Sequence, residues 1–211
     1  MTLKALTLDR VQCALQQPLP GLPAQLRMSP PGRATESPAG ATPRDAGVLL
    51  LLYPIAGKLH FVLTRRADRL GHHRGQIAFP GGGWEKGDPD ITATALREAH
   101  EELGIDLAGV EIIGALSSLF VPPSNFVIHP VVGYARDAPV FVPQADEVAE
   151  VFDVPLGLLL DLSVKCSISR SLLSLDGQLA ITPAYCIAGH EVWGATAMVL
   201  SEFEALLRSQ E

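Results

Sequence analysis

Residues 81–105 read GGGWEKGDPDITATALREAHEELGI, a glycine run and a short loop that feed an acidic helix. Its core is Arg97-Glu98-Ala99-His100-Glu101-Glu102-Leu103-Gly104, with three carboxylates within five residues. On a helix Glu98 and Glu102 lie one turn apart on one face, with Glu101 beside them. Like charges at that spacing repel, and the helix is relieved when a positive group sits against them. A hard divalent cation, which takes oxygen ligands, is such a group. Arg97 lies one turn before Glu101 and is placed to pair with it. The other face carries Leu96, Ala99 and Leu103, with Thr92 and Ala95 at its edge, so it has an apolar side to bury. Gly104 ends the helix as a C′ glycine does. A solvated acidic face accounts for the carboxylates alone; a metal platform also accounts for the glycine run that leads into them.

These residues resemble the box of the Nudix hydrolases, G-x5-E-x7-R-E-U-x-E-E-x-G-U, where U is apolar. Arg97, Glu98, Ala99, Glu101, Glu102, Gly104 and Ile105 fill its second half without a gap. In the first half, counting from Gly82 puts Asp88 at the acidic position with one residue inserted before Arg97. Counting from Gly83 keeps the spacing but puts Pro89 there. The Gly82 register is preferred, with Asp88 as N-cap and Pro89 at the first helical position. The resemblance implies an α/β fold, the Nudix-type α/β/α sandwich with a mixed β-sheet, and Mg2+ or Mn2+ as cofactor. It makes Glu98 and Glu102 primary metal ligands, Glu101 a supporting one and Arg97 their structural support.

Upstream lie Leu63-Thr64-Arg65-Arg66-Ala67 and then Gly75-Gln76-Ile77-Ala78-Phe79-Pro80-Gly81-Gly82. This segment is similar to the signature of the coenzyme A pyrophosphatase branch, L-T-x-R-[SA]-x3-R-x3-G-x3-F-P-G-G, except that Gly71 stands at its second Arg. The residues agree with that resemblance. Arg65, Arg66, Arg69 and Arg74 gather four guanidinium groups in an otherwise acidic chain, and guanidinium forks suit phosphate oxygens. Together with Gln76, Gly81 and Gly82 they are the expected substrate-binding set. A solvated basic turn is the alternative for the cluster, and a turn that needs positive φ the alternative for the glycines. Glu98, Glu102 and Glu147 are the candidate catalytic carboxylates, Glu147 because it stands where many Nudix proteins bring a further Glu from a loop. His129 is read as a sheet histidine, Asn125 as a turn residue and Trp193 as core packing.

The bulk numbers bound this reading. A chain of 211 residues that is 47% hydrophobic can bury a core, and a formal net charge of −7 argues against a nucleic-acid scaffold. Cys13, Cys166 and Cys186 are scattered without a C-x-x-C pair, which predicts reduced thiols and a cytoplasmic setting. No apolar run has membrane-spanning length, and the N-terminus lacks the apolar core of a signal peptide. Residues 1–44 are expected to form a short helix (Thr7 to about Gln16) and a Pro-rich irregular arm (Pro18–Pro43), and residues 45–208 the Nudix domain. Strands are expected over Val48–Tyr53, Leu59–Thr64, Gln76–Phe79, Val110–Phe120, Phe126–Ala135 and Glu147–Val154. A short helix is expected over Leu156–Asp161, a hairpin around Asp176-Gly177 and a closing helix over Trp193–Leu207. The implied activity is hydrolysis of the pyrophosphate bond of coenzyme A or its thioesters by a monomer or homodimer with no membrane partner. ADP-ribose, NADH and dinucleoside polyphosphates are the rival substrates, and a non-catalytic nucleotide-binding module is the rival of a different class.

Overall fold

The computed structural model describes residues 6–68 and 75–210. Its helices are α1 (Leu8–Leu15), α2 (Gly21–Gln25), α3 (Ile91–Leu103) and α4 (Gly194–Arg208). The first strands are β1 (Arg44–Ile55), β2 (Lys58–Arg66), β3 (Ile77–Ala78), β4 (Gly81–Gly83) and β5 (Val110–Ala115). They are followed by β6 (Leu119–Val121), β7 (Phe126–Ala135), β8 (Val148–Pro155), β9 (Lys165–Leu172), β10 (Gln178–Ile187) and β11 (His190–Val192). The main sheet runs β3-β2-β1-β7-β5, with β4 on β1, β6 on β7 and β8 on β2. It is mixed, because β1 and β7 pair in parallel while β1 and β2 are antiparallel.

Strand β1 is apolar without alternation because both of its faces are covered. Leu49, Leu51 and Tyr53 face α3 and pack with Ala95, Ala99, Leu103 and Val131. Leu50 and Leu52 face the other way, into a larger core with Phe61, Leu63, Phe79, Met198, Phe203 and Tyr185. Helices α1 and α4 and the small β11-β10-β9 sheet close that second side, which makes the sandwich. Gly47 sets how closely α3 lies on β1: a Cβ there would meet the Ile91 carbonyl oxygen at 2.6 Å and the Ala95 nitrogen at 2.7 Å.

Three expectations are corrected. The single strand over Val110–Phe120 is two, β5 and β6. The break falls opposite Pro130, which has no N–H for a ladder; Leu116 donates to the Pro130 carbonyl at 2.9 Å, and the Ser117 N–H turns to the Glu202 carboxylate at 3.2 Å. The Pro18–Pro43 arm is not irregular throughout. It contains α2 and a single 3-10 turn at Leu26–Met28, held by the buried Gln25 amide, which donates to Glu202 at 2.8 Å and to the Ser117 carbonyl at 3.0 Å. Cys166 and Cys186 are not free thiols but a disulfide with Cα atoms 6.0 Å apart, while Cys13 is free and exposed. The β9–β10 register sets Cys166 opposite Ala184, so Cys186, two residues on, projects on the same face and meets it diagonally. No helix among the described residues is long and apolar enough to cross a membrane.

Gly47→Ala is expected to lower unfolding stability by about 1–3 kcal/mol, because backbone atoms of α3 have to move to admit the methyl group. Urea denaturation of the purified variant measures it.

Candidate active site

The glycine run forms β4, paired to the first half of β1 with Gly82 opposite Gly47 and Gly83 opposite Ala46. This wedges a strand with no side chains between β1 and the acidic face of α3. At Gly82 a Cβ would fall 2.4 Å from the Glu98 carboxyl carbon, and at Gly81 2.4 Å from the Gly47 carbonyl oxygen. Gly81 is therefore required by close approach to the β1 backbone, and the space left at Gly82 is where the Glu98 carboxylate sits.

Arg97 organises the carboxylates. Its Nε and Nη2 donate to the two Asp88 oxygens at 3.0 and 3.1 Å, and Nη2 also reaches the Gly83 carbonyl at 3.0 Å. Nη1 lies 2.9 Å from both Glu98 and Glu101, so all five guanidinium donors are engaged. Asp88 is consequently not the N-cap. That place belongs to Asp90, whose side chain accepts from the Ala93 N–H at 2.8 Å, and Pro89 lies outside the helix. The Arg97 pair, with further hydrogen bonds from the Glu85 N–H and Thr94 hydroxyl, holds the Asp88 carboxyl down to about 2. Asp88 thus occupies the first acidic position of the box as a partner of Arg97.

Glu102 is only 3% exposed, and burial pushes its carboxyl up to about 7 against the help of Arg66 and the Gly81 N–H. Arg66 lies 3.5 Å away and the Gly81 N–H donates at 3.3 Å. Burial likewise raises Glu98, and Glu147 adds repulsion to both, so the exposed Glu147 faces this centre. Glu101 is more open, at 54% exposure. Among the described residues no three His, Cys, Asp or Glu side chains form a ready cage, because Arg97 and Arg66 hold the carboxylates. The donor set still suits a hard divalent cation: carboxylate oxygens, partly desolvated and mutually repelling, beside bare backbone.

The basic cluster is divided by the pleat. Phe61 and Leu63 point into the larger core and Val62 towards α3, so Arg66 shares the α3 side and Arg65 the other. Arg66 reaches Glu102, whereas Arg65 pairs with Glu150 at 3.4 Å and Asp68 at 3.5 Å. The Gln76 carbonyl accepts from the Arg66 N–H at 3.0 Å, which ties β3 to the end of β2. Arg69, Gly71 and Arg74 lie outside the described residues. The His129 Nε2–H donates to the Asp45 carboxylate at 2.7 Å, and Asn125 takes positive φ in its turn, as expected for both. Trp193 is half-buried at the start of α4, with the Arg170 guanidinium 5.6 Å above its ring.

Sequence reasoning missed a cleft of about 540 Å3 beside Glu98, lined by Arg44, Asp45, Gly83, Trp84, Glu85 and Phe126 with Pro43. Arg44 and Phe126 come together only through the parallel β1–β7 pairing, which sets them opposite each other. The one local signal was Trp84, a large apolar residue straight after the glycines.

A NUDIX domain model matches residues 43–163. NudL, a Nudix hydrolase of Photorhabdus laumondii, is 35% identical over 178 residues, 84% of this chain and 90% of that protein. The mitochondrial coenzyme A diphosphatase NUDT8 of Homo sapiens is 34% identical over 166 residues, 77% of this chain and 69% of that protein. The peroxisomal coenzyme A diphosphatase NUDT7 of Mus musculus is 42% identical over 113 residues, 54% and 48% of the two chains. Among solved structures, a MutT protein of Methanosarcina mazei superposes with a TM-score of 0.48 at 18% identity, covering 80% of this chain and 95% of that one.

The Glu102 carboxyl carries a pH signature. Its folded pKa, about 7, lies above the ordinary 4.5, so its contribution to stability is complete below the ordinary value and is lost as pH rises through 7. In metal-free protein this loss is on the order of 3 kcal/mol between pH 4.5 and 7.5. Glu102→Gln is expected to flatten that fall, measured as the difference between the two proteins' stability–pH curves.

Proposed function

The chain belongs to the Nudix hydrolases, and from that premise we propose that it cleaves the pyrophosphate bond of coenzyme A or its thioesters with Mg2+ or Mn2+. The products are adenosine 3′,5′-bisphosphate and phosphopantetheine or acyl-phosphopantetheine. The observation that carries this reading is the meeting of two segments at one point. The segment that resembles the coenzyme A branch includes Arg66, and Arg66 lies 3.5 Å from Glu102 of the carboxylate helix. The coenzyme A diphosphatases among the relatives support it.

In this reading Glu98 and Glu102 hold the cation and Glu101 supports them from the open edge. A bound divalent cation supplies charge neutralisation at the diphosphate oxygens. Arg66, 3.5 Å from Glu102, would add a guanidinium fork to the same diphosphate. Glu147 takes the proton of the attacking water, with Glu98 as the second candidate. Arg97 keeps Glu98 and Glu101 aligned. Gly81 and Gly82 admit the phosphates close to backbone N–H groups, and Gln76, Arg69 and Arg74 complete the proposed substrate-binding set. Arg65, which pairs with Glu150 at 3.4 Å, is a further member of the proposed substrate-binding set. Residues 45–208 form the catalytic domain, preceded by the N-terminal segment of residues 1–44, in a monomer or homodimer. Gly71, standing where the branch signature has Arg, favours one second reading: a Nudix pyrophosphatase for ADP-ribose, NADH or a dinucleoside polyphosphate.

Chromatography of reactions with coenzyme A, ADP-ribose, NADH and a diadenosine polyphosphate decides between them, with adenosine 3′,5′-bisphosphate expected to form fastest. Glu98→Gln and Glu102→Gln are each expected to lower kcat by at least about a hundredfold with circular dichroism unchanged. Near-normal turnover in either folded variant removes these residues from the mechanism.

A further inference from the structure

The cleft beside Glu98 contains a cation that the chemistry above leaves unused. Arg44 is exposed at the start of β1, and its guanidinium carbon lies 4.2 Å from the centre of the Phe126 ring. The acids that line the cleft with it are engaged elsewhere or set apart: Asp45 with His129 at 2.7 Å, Glu98 with Arg97 at 2.9 Å. Glu85 lies beside Trp84 in the lining. Phe126 steadies the guanidinium plane and leaves its donor edge open, the arrangement in which arginine binds phosphate. Trp84 is 50% exposed in the same cleft, with its indole N–H fixed to the Asp88 carbonyl at 3.1 Å and its ring free to stack.

We propose that this cleft takes the nucleoside end of the substrate, and that Arg44 pairs with a phosphate on its ribose, separate from the diphosphate that is cut. The inference rests on the hydrolase reading above and makes Arg44 a specificity residue: it favours nucleotides with a ribose phosphate over those without one. Glu85 repels a phosphate on its own side and so orients the group towards Arg44.

Trp84 provides the readout. Tryptophan fluorescence of the metal-free full chain is titrated with adenosine 3′,5′-bisphosphate and with 5′-AMP. The wild type is expected to bind the bisphosphate roughly tenfold more tightly, Arg44→Gln to reduce that preference to within about twofold, and Arg44→Lys to keep part of it. Equal binding of the two nucleotides by the wild type, or an undiminished preference in Arg44→Gln, overturns the proposal. Trp84→Phe is expected to abolish the fluorescence change, and an unchanged signal from Trp193 overturns the assignment of the cleft. Turnover of coenzyme A against its dephospho form separates this proposal from the reading beneath it. Cleavage with no effect of Arg44→Gln on preference sinks the cleft alone. Bisphosphate preference that depends on Arg44, without cleavage of either compound, sinks the hydrolase substrate and leaves the cleft standing.

Discussion

Repulsion among the carboxylates of α3 is the constraint that the surrounding structure answers, and Arg97 is the main answer. One guanidinium reaches Asp88, Glu98, Glu101 and the Gly83 carbonyl, joining the loop before the helix, the helix itself and the glycine strand. Each of those bonds is charge-assisted on at least one side, and those to Asp88, Glu98 and Gly83 are partly withdrawn from water, where they are worth more than at an exposed surface. Glu102, out of reach of Arg97, is served by Arg66 from the end of β2 and by the Gly81 N–H. The acidic face is therefore held by cations from the protein before any ligand arrives, and every element that supplies one has to lie close. That requirement explains why glycine lines the facing strand and why α3 sits against β1 at backbone distance.

Much of this was legible from the chain. The apolar run at Val48–Tyr53, the largely apolar stretch Phe126–Ala135 and the turn at Asp176-Gly177 are local patterns, and local patterns carried over into β1, β7 and the β9–β10 hairpin. The Arg97–Glu101 pair followed from helical spacing alone. What was not legible depends on pairings distant in sequence. Two acids flank Pro89, and either has the chemistry of a cap; the need of Arg97 for a bidentate partner draws Asp88 away and leaves Asp90 to the helix. The Cys166–Cys186 bond depends on hairpin register, which spacing between cysteines does not report. The cleft with Arg44 and Phe126 exists only because β1 and β7 run parallel side by side.

Charge density along a sequence also misleads in a way that a sheet makes plain. Arg65 and Arg66 are neighbours in the chain and look like one basic patch. The pleat sends them to opposite faces, one to a carboxylate of the acidic helix and the other to Glu150, which His190 of the small sheet also approaches at 3.3 Å. Adjacent arginines thus serve two different layers of the sandwich. Helical neighbours one turn apart are a better guide to shared function than sequence neighbours on a strand.

The Glu202 carboxylate gathers the Gly21 and Ser117 N–H groups and the Gln25 amide at one fully buried point. These partners stand at widely separated places in the order of synthesis. A growing chain on the ribosome has made α2 long before α4 emerges, so α2 waits, without its Glu202 anchor, until α4 has been released. Residues made late are the ones that let residues made early settle.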